Sequence, residues 1–303
     1  MSTPLIQQRI EARSSILGEG LLIRRALPNR ERRMIGAWCF LDHAGPMDVS
    51  QGTGMRVGPH PHIGLQTFTW MIAGEVLHRD SLGYEQVIRP GQVNLMTAGH
   101  GISHSEESPI ERSPSMHLAQ LWIALPDSHR HIPPAFEHYP VLPQFAVGDF
   151  TATLLVGEAL GQTSPVKVFT PLLGMDLTAT EASTGDMPLR PDFEYGVMVL
   201  EGEAELKSSG TSESIGAGTL LYLGCGHTQL HLQCKAGARV LLIGGEPFAE
   251  NVLLWWNFVA RTRAEIAAAT ETWNQHTAFG TVQGYIGDAL VAPPVPTDIR
   301  SSR

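Results

Sequence analysis

The sequence contains only three cysteines, Cys39, Cys225 and Cys234, and no CxxC pair. This spacing predicts neither a disulfide framework nor a thiolate metal site, and it favours a reducing compartment. The sequence also lacks any run of about 18 apolar residues, and its N-terminus lacks the apolar core and cleavage site of a signal peptide. We therefore expect a soluble, cytoplasmic protein that does not enter a membrane.

Basic residues are scarce as well. Lys and Arg number 21 against 30 Asp and Glu, which gives a formal net charge of -9 at pH 7. Extended contact with a nucleic-acid backbone depends on Lys and Arg to neutralise phosphates, so direct binding of nucleic acid is not expected. Hydrophobic residues make up 43% of the 303 residues, which is enough for a large core and suggests about two domains.

An internal repeat divides the chain into two halves. Gly99 recurs as Gly226, and His104 recurs as His231, in each case 127 positions later. A repeat of this length is too long for a solenoid unit and predicts a duplicated domain.

Both halves contain short segments that predict β-strands. Segments such as LQTFTWMIAGEV, VNLMTA and GTLLYLG are rich in β-branched and aromatic residues and are bounded by Gly, Pro, Asp or Ser. Helical periodicity occurs mainly near the end, from Asn251 through NVLLWWNFVARTRAEIAAATETW. We expect this segment to form a helix that packs against a β-barrel and buries Trp255 and Trp256. The sequence thus predicts two all-β domains and a short C-terminal helix.

Two pairs of polar residues in the first half indicate a metal site. Residues i and i+2 of a strand face the same side, so His60 and His62 can direct two imidazoles toward one point, and His104 and Glu106 form a second such pair. If the two strands meet across a barrel interior, three neutral imidazoles and one carboxylate converge. These ligands suit a first-row divalent ion with positions left open for water, substrate or dioxygen. A closed tetrahedral site for structural zinc is the alternative.

The other histidines are less informative. His129 and His131 also form an HxH pair, but two prolines follow directly and no HxE pair accompanies them, which favours a surface loop. Three more histidines are open to either a role at the site or a structural role: His43, His78 and His100.

The blocks FLDHAGP, GPHPHIGLQT, RPGQVNLMTAGHGISHSE and LWIALP resemble the pirin family of the cupin superfamily, and the similarity covers nearly the whole chain. The resemblance implies a bicupin, in which two double-stranded β-helix (jelly-roll) barrels follow one another. The N-terminal barrel, residues 1–145, is expected to carry one mononuclear metal, usually iron. The C-terminal barrel, residues 146–303 with the helix and tail, is expected to carry none. By position, the implied metal ligands are His60, His62, His104 and Glu106.

The sequence departs from the family at positions close to the site. Many pirins read HPHRGFET where this chain reads HPHIGLQT, so Gln66 stands in place of Glu. General cupins often take their metal-bound acid from this position, and a neutral amide cannot serve as that anion. We therefore expect Glu106 to supply the carboxylate.

The second half keeps few of the predicted ligand types. The repeat offsets place Pro188 and Arg190 near the expected HxH positions, and they place His231 and Gln233 opposite His104 and Glu106. One histidine and one amide will not hold a divalent ion, so we expect a structural role for this half.

Two functions of different classes are implied by the resemblance. The first is quercetin 2,3-dioxygenase, in which a flavonol chelates the ion, Glu106 accepts its hydroxyl proton, and reaction with dioxygen opens the central ring and releases carbon monoxide. Fe(II) is the expected ion, with Mn, Ni, Co, Cu and Zn as alternatives. The second is a metal-dependent, redox-sensing regulator that acts through a protein partner. We favour the enzyme, with a flavonol or another phenolic or enolic compound as its substrate.

Overall fold

The computed structural model describes residues 7–17 and 21–301. Within these residues the chain forms 26 β-strands and one α-helix, so the predicted all-β bicupin fold is confirmed. The strands of the first half are β1 (Gln7–Glu11), β2 (Arg13–Leu17), β3 (Leu21–Leu27), β4 (Trp38–Asp48), β5 (Arg56–His62), β6 (Leu65–Ala73), β7 (Val76–Asp80), β8 (Glu85–Ile88), β9 (Val93–Thr97), β10 (Ile102–Glu107), β11 (Ser115–Ala124), β12 (Ala135–Tyr139) and β13 (Gln144–Val147).

The second half contains as many strands, followed by the helix. These elements are β14 (Phe150–Val156), β15 (Glu158–Ala159), β16 (Gln162–Thr163), β17 (Leu172–Ala179), β18 (Ser183–Pro188), β19 (Glu194–Glu201), β20 (Glu203–Ser208), β21 (Thr211–Gly216), β22 (Thr219–Leu223), β23 (Gln229–Cys234), β24 (Ala238–Gly245), β25 (Leu253–Trp255), β26 (Phe258–Ala260) and α1 (Arg263–Asn274). None of the helical structure in the described part of the chain has the length and apolar character needed to cross a membrane.

The chain forms two compact units, each built from three separate segments of the sequence. The first unit takes its described residues from the ranges 1–13, 24–43 and 141–248, and the second from 14–23, 44–140 and 249–303. The C-terminal helix and tail therefore group with residues of the N-terminal half. The boundary between residues 145 and 146 stays a prediction about where the duplicated halves divide.

Two antiparallel sheets contain the strands that matter for the site. One has the order β5-β10-β7-β8, and the other has the order β12-β9-β6-β11-β4-β3-β2. In β7, burial alternates with a period of two, so that Val76, His78 and Asp80 are all buried. Val76 joins Val57, Met71 and other apolar side chains in a hydrophobic cluster of the second unit. The same strand thus contributes both core residues and buried polar residues.

The first unit repeats this strand order. Its sheets run β18-β23-β20-β21 and β1-β22-β19-β24-β17-β14-β13. The order β18-β23-β20-β21 matches β5-β10-β7-β8 strand for strand, as the sequence repeat predicts. A continuous cluster of buried apolar residues fills this unit, including Met187, Leu230 and Leu232.

The prediction of a helix that begins near Asn251 is wrong. The segment first forms a hairpin of β25 and β26, and α1 begins only at Arg263. Aromatic and β-branched residues favour strands, and Thr262 marks the helix start because its side chain accepts a hydrogen bond from the Glu265 backbone N–H (3.2 Å). Trp255 and Trp256 are half-buried rather than buried, and they pack beside Phe258.

Candidate metal centre

Neighbouring strands bring the three predicted histidines together. β5 and β10 pair antiparallel, with His104 opposite His60 and Ile102 opposite His62. One ring nitrogen from each of His60, His62 and His104 lies within 4.8 Å of the other two. The three residues are only 6%, 1% and 1% exposed, respectively. This is the group of side chains in the described residues that could hold a metal ion.

Hydrogen bonds orient the three rings. His60 Nδ1 lies 2.9 Å from the Gly58 carbonyl oxygen, and His62 Nδ1 lies 3.0 Å from the Asn257 carbonyl oxygen. A carbonyl only accepts, so both Nδ1 atoms donate and the Nε2 atoms keep their lone pairs. His104 Nδ1 is engaged by His78 Nδ1 at 3.3 Å. All three Nδ1 atoms are therefore occupied, and the three Nε2 atoms are available to a common ion.

The spacing of the nitrogens fits a divalent ion. His62 Nε2 and His104 Nε2 lie 3.0 Å apart. Two nitrogens bound at about 2.1 Å and at a right angle around one ion also lie about 3.0 Å apart. Three imidazoles with their other nitrogen held by a hydrogen bond form a donor set of the kind that binds Zn, Cu, Fe or Ni.

Burial keeps the imidazoles neutral. It lowers the pKa of His60 from 6.5 to about 4, although the hydrogen bond to Gly58 opposes part of that change. Burial also lowers the pKa of His62 and of His104 well below 6.5, and the neighbouring histidines add to this effect. Near pH 7 the three lone pairs are thus unprotonated, which is the state required of a metal ligand.

Glu106 lies on the same strand, but its carboxylate is not a member of the histidine group. The pairing register of β10 with β5 shifts between His104 and Glu106, because β5 has one extra residue there, whereas β10 pairs with β7 without a shift and keeps both residues on the i, i+2 alternation. Burial raises the pKa of Glu106 to about 7, and a hydrogen bond with the Thr69 side chain opposes part of the rise. The structure therefore brings together three of the four predicted ligands and places the fourth nearby on β10.

Aromatic and amide side chains surround the histidines. Trp122 contacts His62 edge to face, with ring centroids 5.2 Å apart. Gln66 is buried, and its Nε2 donates to Thr97 Oγ1 at 3.0 Å. Gln66 thus has a structural contact with Thr97, in line with its neutral amide.

Two further residues extend the site behind His104. His78, which the sequence left open, is buried and stacks on Phe136 with centroids 4.4 Å apart and planes 13° apart. Its Nε2 lies 3.1 Å from Asp80 Oδ2. Asp80 was missed by sequence reasoning, although His78-x-Asp80 has the same i, i+2 spacing that identified the other pairs.

The remaining histidines lie apart from this group. His129 and His131 are in the turns between β11 and β12, and His131 is exposed, as expected for a surface loop. His100 is exposed, and its backbone N–H donates to the Ile132 carbonyl in a turn after β9. His43 is buried within β4.

The predicted alignment of the second half needs a correction. The residue opposite His231 is Asp186, just as His60 is opposite His104, and Arg190 lies beyond the end of β18. His231 Nδ1 contacts Asp186 Oδ1 at 3.0 Å on the partly exposed side of the strands. The buried positions are apolar, because the opposite side of these strands is occupied by Met187 and Leu230. His231 thus lies on the side of β23 that faces away from the core, whereas Leu230 and Leu232 face the core.

Comparisons with known proteins agree with this architecture. The family model for pirin matches residues 20–123, and the model for the pirin C-terminal cupin domain matches residues 174–280. A Pseudomonas aeruginosa protein named "Putative quercetin 2,3-dioxygenase" is 54% identical over 294 residues, covering 96% of this chain and 91% of that protein. A pirin-like protein from Caulobacter vibrioides is 35% identical over 276 residues, covering 89% and 93%.

A solved structure extends the comparison to three dimensions. The crystal structure of quercetin 2,3-dioxygenase from Acinetobacter baumannii has a TM-score of 0.94 and 53% identity, and the match covers 98% of both chains. Both family models, the relatives and the fold agree, and the chain belongs to the pirin family.

Proposed function

We propose that this protein is a metal-dependent dioxygenase that cleaves flavonols such as quercetin. The observation that carries the proposal is the convergence of three neutral imidazoles whose Nδ1 atoms are already occupied. The names of the relatives from Pseudomonas aeruginosa and Acinetobacter baumannii support the choice of flavonol. The substrates are a flavonol and dioxygen, and the proposed location is the cytoplasm.

The proposed metal ligands are His60, His62 and His104 through Nε2, with Glu106 as the fourth ligand. A bound divalent ion, for which we propose Fe(II) over Mn, Ni, Co, Cu or Zn, would act as a Lewis acid toward the 3-hydroxyl and 4-carbonyl oxygens of the flavonol. The three histidines hold their positions throughout and take no part in proton transfer, because their Nδ1 atoms are engaged in hydrogen bonds.

Glu106 is the proposed general base. A carboxylate beside the ion lies within reach of the flavonol hydroxyl, so Glu106 can accept its proton. To serve as ligand and base, its carboxylate has to turn from Thr69 toward the histidine group. There it would accept the proton of the flavonol 3-hydroxyl, and the resulting anion reacts with dioxygen to open the central ring with release of carbon monoxide.

The test is carbon monoxide release and oxygen uptake by Fe(II)-reconstituted protein supplied with quercetin. We expect one carbon monoxide per flavonol consumed, and loss of this activity in a His62→Ala, His104→Ala double variant. A His129→Ala, His131→Ala double variant is the matched control, because it also removes two histidines but from the loop between β11 and β12. This control should keep full activity. Absence of turnover in fully loaded wild-type protein, with any of these metals, would refute the flavonol reaction and direct attention to a protein partner.

A further inference from the structure

Three buried side chains, His104, His78 and Asp80, form a hydrogen-bonded series that we call the relay. His104 Nδ1 lies 3.3 Å from His78 Nδ1, and His78 Nε2 lies 3.1 Å from Asp80 Oδ2. His104, His78 and Asp80 are at most 3% exposed. The polar groups are therefore shielded from water, which makes each hydrogen bond in the relay stronger and each mismatch more costly.

If His104 Nε2 keeps its lone pair for the ion, the position of each proton in the relay is determined. If Nε2 is the ligand atom, the single proton of the neutral ring is on Nδ1, and His104 donates to His78 Nδ1. His78 then has its own proton on Nε2, which donates to Asp80. A carboxylate only accepts, so the relay ends there with every donor matched to an acceptor.

Asp80 and His78, the two outer residues of the relay, are fixed in position by their neighbours. Asp80 Oδ1 accepts the backbone N–H groups of Leu82 and Tyr84, at 2.9 Å and 3.1 Å, so that Oδ2 is the oxygen that faces His78. The His78 ring is stacked on Phe136, which fixes its plane. The relay is therefore anchored at the turn between β7 and β8 and does not depend on a mobile side chain.

We propose that Asp80 and His78 are positioning residues that hold His104 in the tautomer required for metal binding and strengthen it as a donor. The inference rests on the proposed metal centre and adds two residues behind it that do not touch the ion. Such partners typically change metal affinity by about 10–100-fold.

Asp80→Asn tests the relay most sharply. The amide oxygen can keep the two backbone hydrogen bonds of the turn, but the amide NH₂ then faces His78 Nε2 as a donor. His78 has to accept at Nε2 and carry its proton on Nδ1, which confronts the Nδ1 proton of His104. An amide in place of a carboxylate thus favours the wrong tautomer, and we expect a loss of zinc affinity of about 10–100-fold.

Glu85→Gln is the matched control. Glu85 lies across the same hairpin, it is paired with Arg79, and it does not touch the relay. The same carboxylate-to-amide change at Glu85 should leave the zinc affinity unchanged. The circular dichroism spectrum of each apoprotein verifies that the fold is retained.

A double-mutant cycle separates the relay from a merely structural role. His78→Phe keeps an aromatic ring on Phe136 but removes the acceptor for His104, and we expect a loss of about tenfold. In that background Asp80→Asn has no imidazole to misdirect, so its further effect on zinc affinity should stay within about twofold. Losses that simply add in the double variant would overturn the relay.

Nitrogen NMR of the zinc-loaded wild-type protein provides an independent readout. We expect protons on His104 Nδ1 and on His78 Nε2, and a proton on His78 Nδ1 would overturn the assignment. Unchanged zinc affinity in Asp80→Asn would overturn the relay alone, with the metal centre intact. If the wild-type protein takes up no zinc, or if His62→Ala leaves the affinity unchanged, both the metal centre and the relay are overturned.

Discussion

Metal binding should release a proton from Glu106, and the number released can be calculated from the structure. Burial raises the pKa of this carboxyl to about 7, so about 0.9 proton is bound at pH 6 and about 0.1 at pH 8. The histidines contribute little, because the pKa of His60 is about 4 and those of His62 and His104 lie well below 6.5. Loading at pH 6 should therefore release about 0.9 proton if Glu106 becomes a ligand.

The same proton makes the affinity depend on pH. The protonated form of Glu106 has to ionise before it binds, so the affinity for zinc should fall by about tenfold between pH 8 and pH 6. Isothermal titration calorimetry in two buffers with different ionisation enthalpies measures the proton release directly. A chelator competition at each pH measures the affinity.

Glu106→Gln is the decisive variant. The amide cannot release a proton, so the variant should bind zinc more weakly, with no proton release at pH 6 and an affinity that is flat from pH 6 to pH 8. Zero release in the wild-type protein at pH 6 would refute the assignment of Glu106 as a ligand, even if the three histidines bind the ion.

Three further predictions follow from the site and its surroundings. At His60 the unfolded state of the apoprotein binds more protons than the native state between pH 6.5 and 4, because burial lowers the pKa of His60 to about 4. The free energy of unfolding should fall over this range by up to about 3 kcal/mol through His60, and denaturant titrations should show a shallower fall in His60→Gln. Zinc titration should give one ion per chain, and Asp186→Ala with His231→Ala should leave this stoichiometry unchanged. Gly64→Ala should lower the free energy of unfolding, measured by thermal unfolding, by about 1–3 kcal/mol. Gly64 has a φ of +68°, and an added Cβ would lie 2.1 Å from the Val259 carbonyl oxygen. Gly52→Ala, at a φ of +70° with no neighbour within 4 Å, should cost less, and equal costs would contradict the clash.

The sequence predicted those features that follow from the regular alternation of side chains along a strand and from the repeat of the domain. His60 and His62 lie on the same face of β5 because side chains alternate along a strand. The repeat predicts that β10, which carries His104, occupies the same place in its sheet as β23 does in the other unit. These two regularities predict the paired barrels and the three converging imidazoles. Neither depends on how the chain deviates from regular geometry.

Irregular features account for what sequence reasoning missed. The register shift between β5 and β10 has no signature in the letters GPHPH, so the sequence does not predict how the Glu106 carboxylate is placed relative to the three imidazoles, and its role as a ligand stays a prediction. The repeat likewise does not predict that Leu230 and Leu232, rather than His231, face the core from β23. The start of α1 depends on Thr262 and Glu265, which are ordinary residues until their hydrogen bond forms. The role of Asp80 was not predicted, because Asp80 acts through its hydrogen bond with His78, whose own role the sequence left open.

The most direct test of the metal centre is a crystal structure of the zinc-loaded protein, with anomalous scattering collected at the zinc edge. We predict one anomalous peak about 2.0–2.2 Å from the Nε2 atoms of His60, His62 and His104 and from a Glu106 carboxylate oxygen. The Nδ1 atoms should keep their contacts with the carbonyls of Gly58 and Asn257 and with His78. A peak at another place, or an ion bound through Nδ1, would contradict the account.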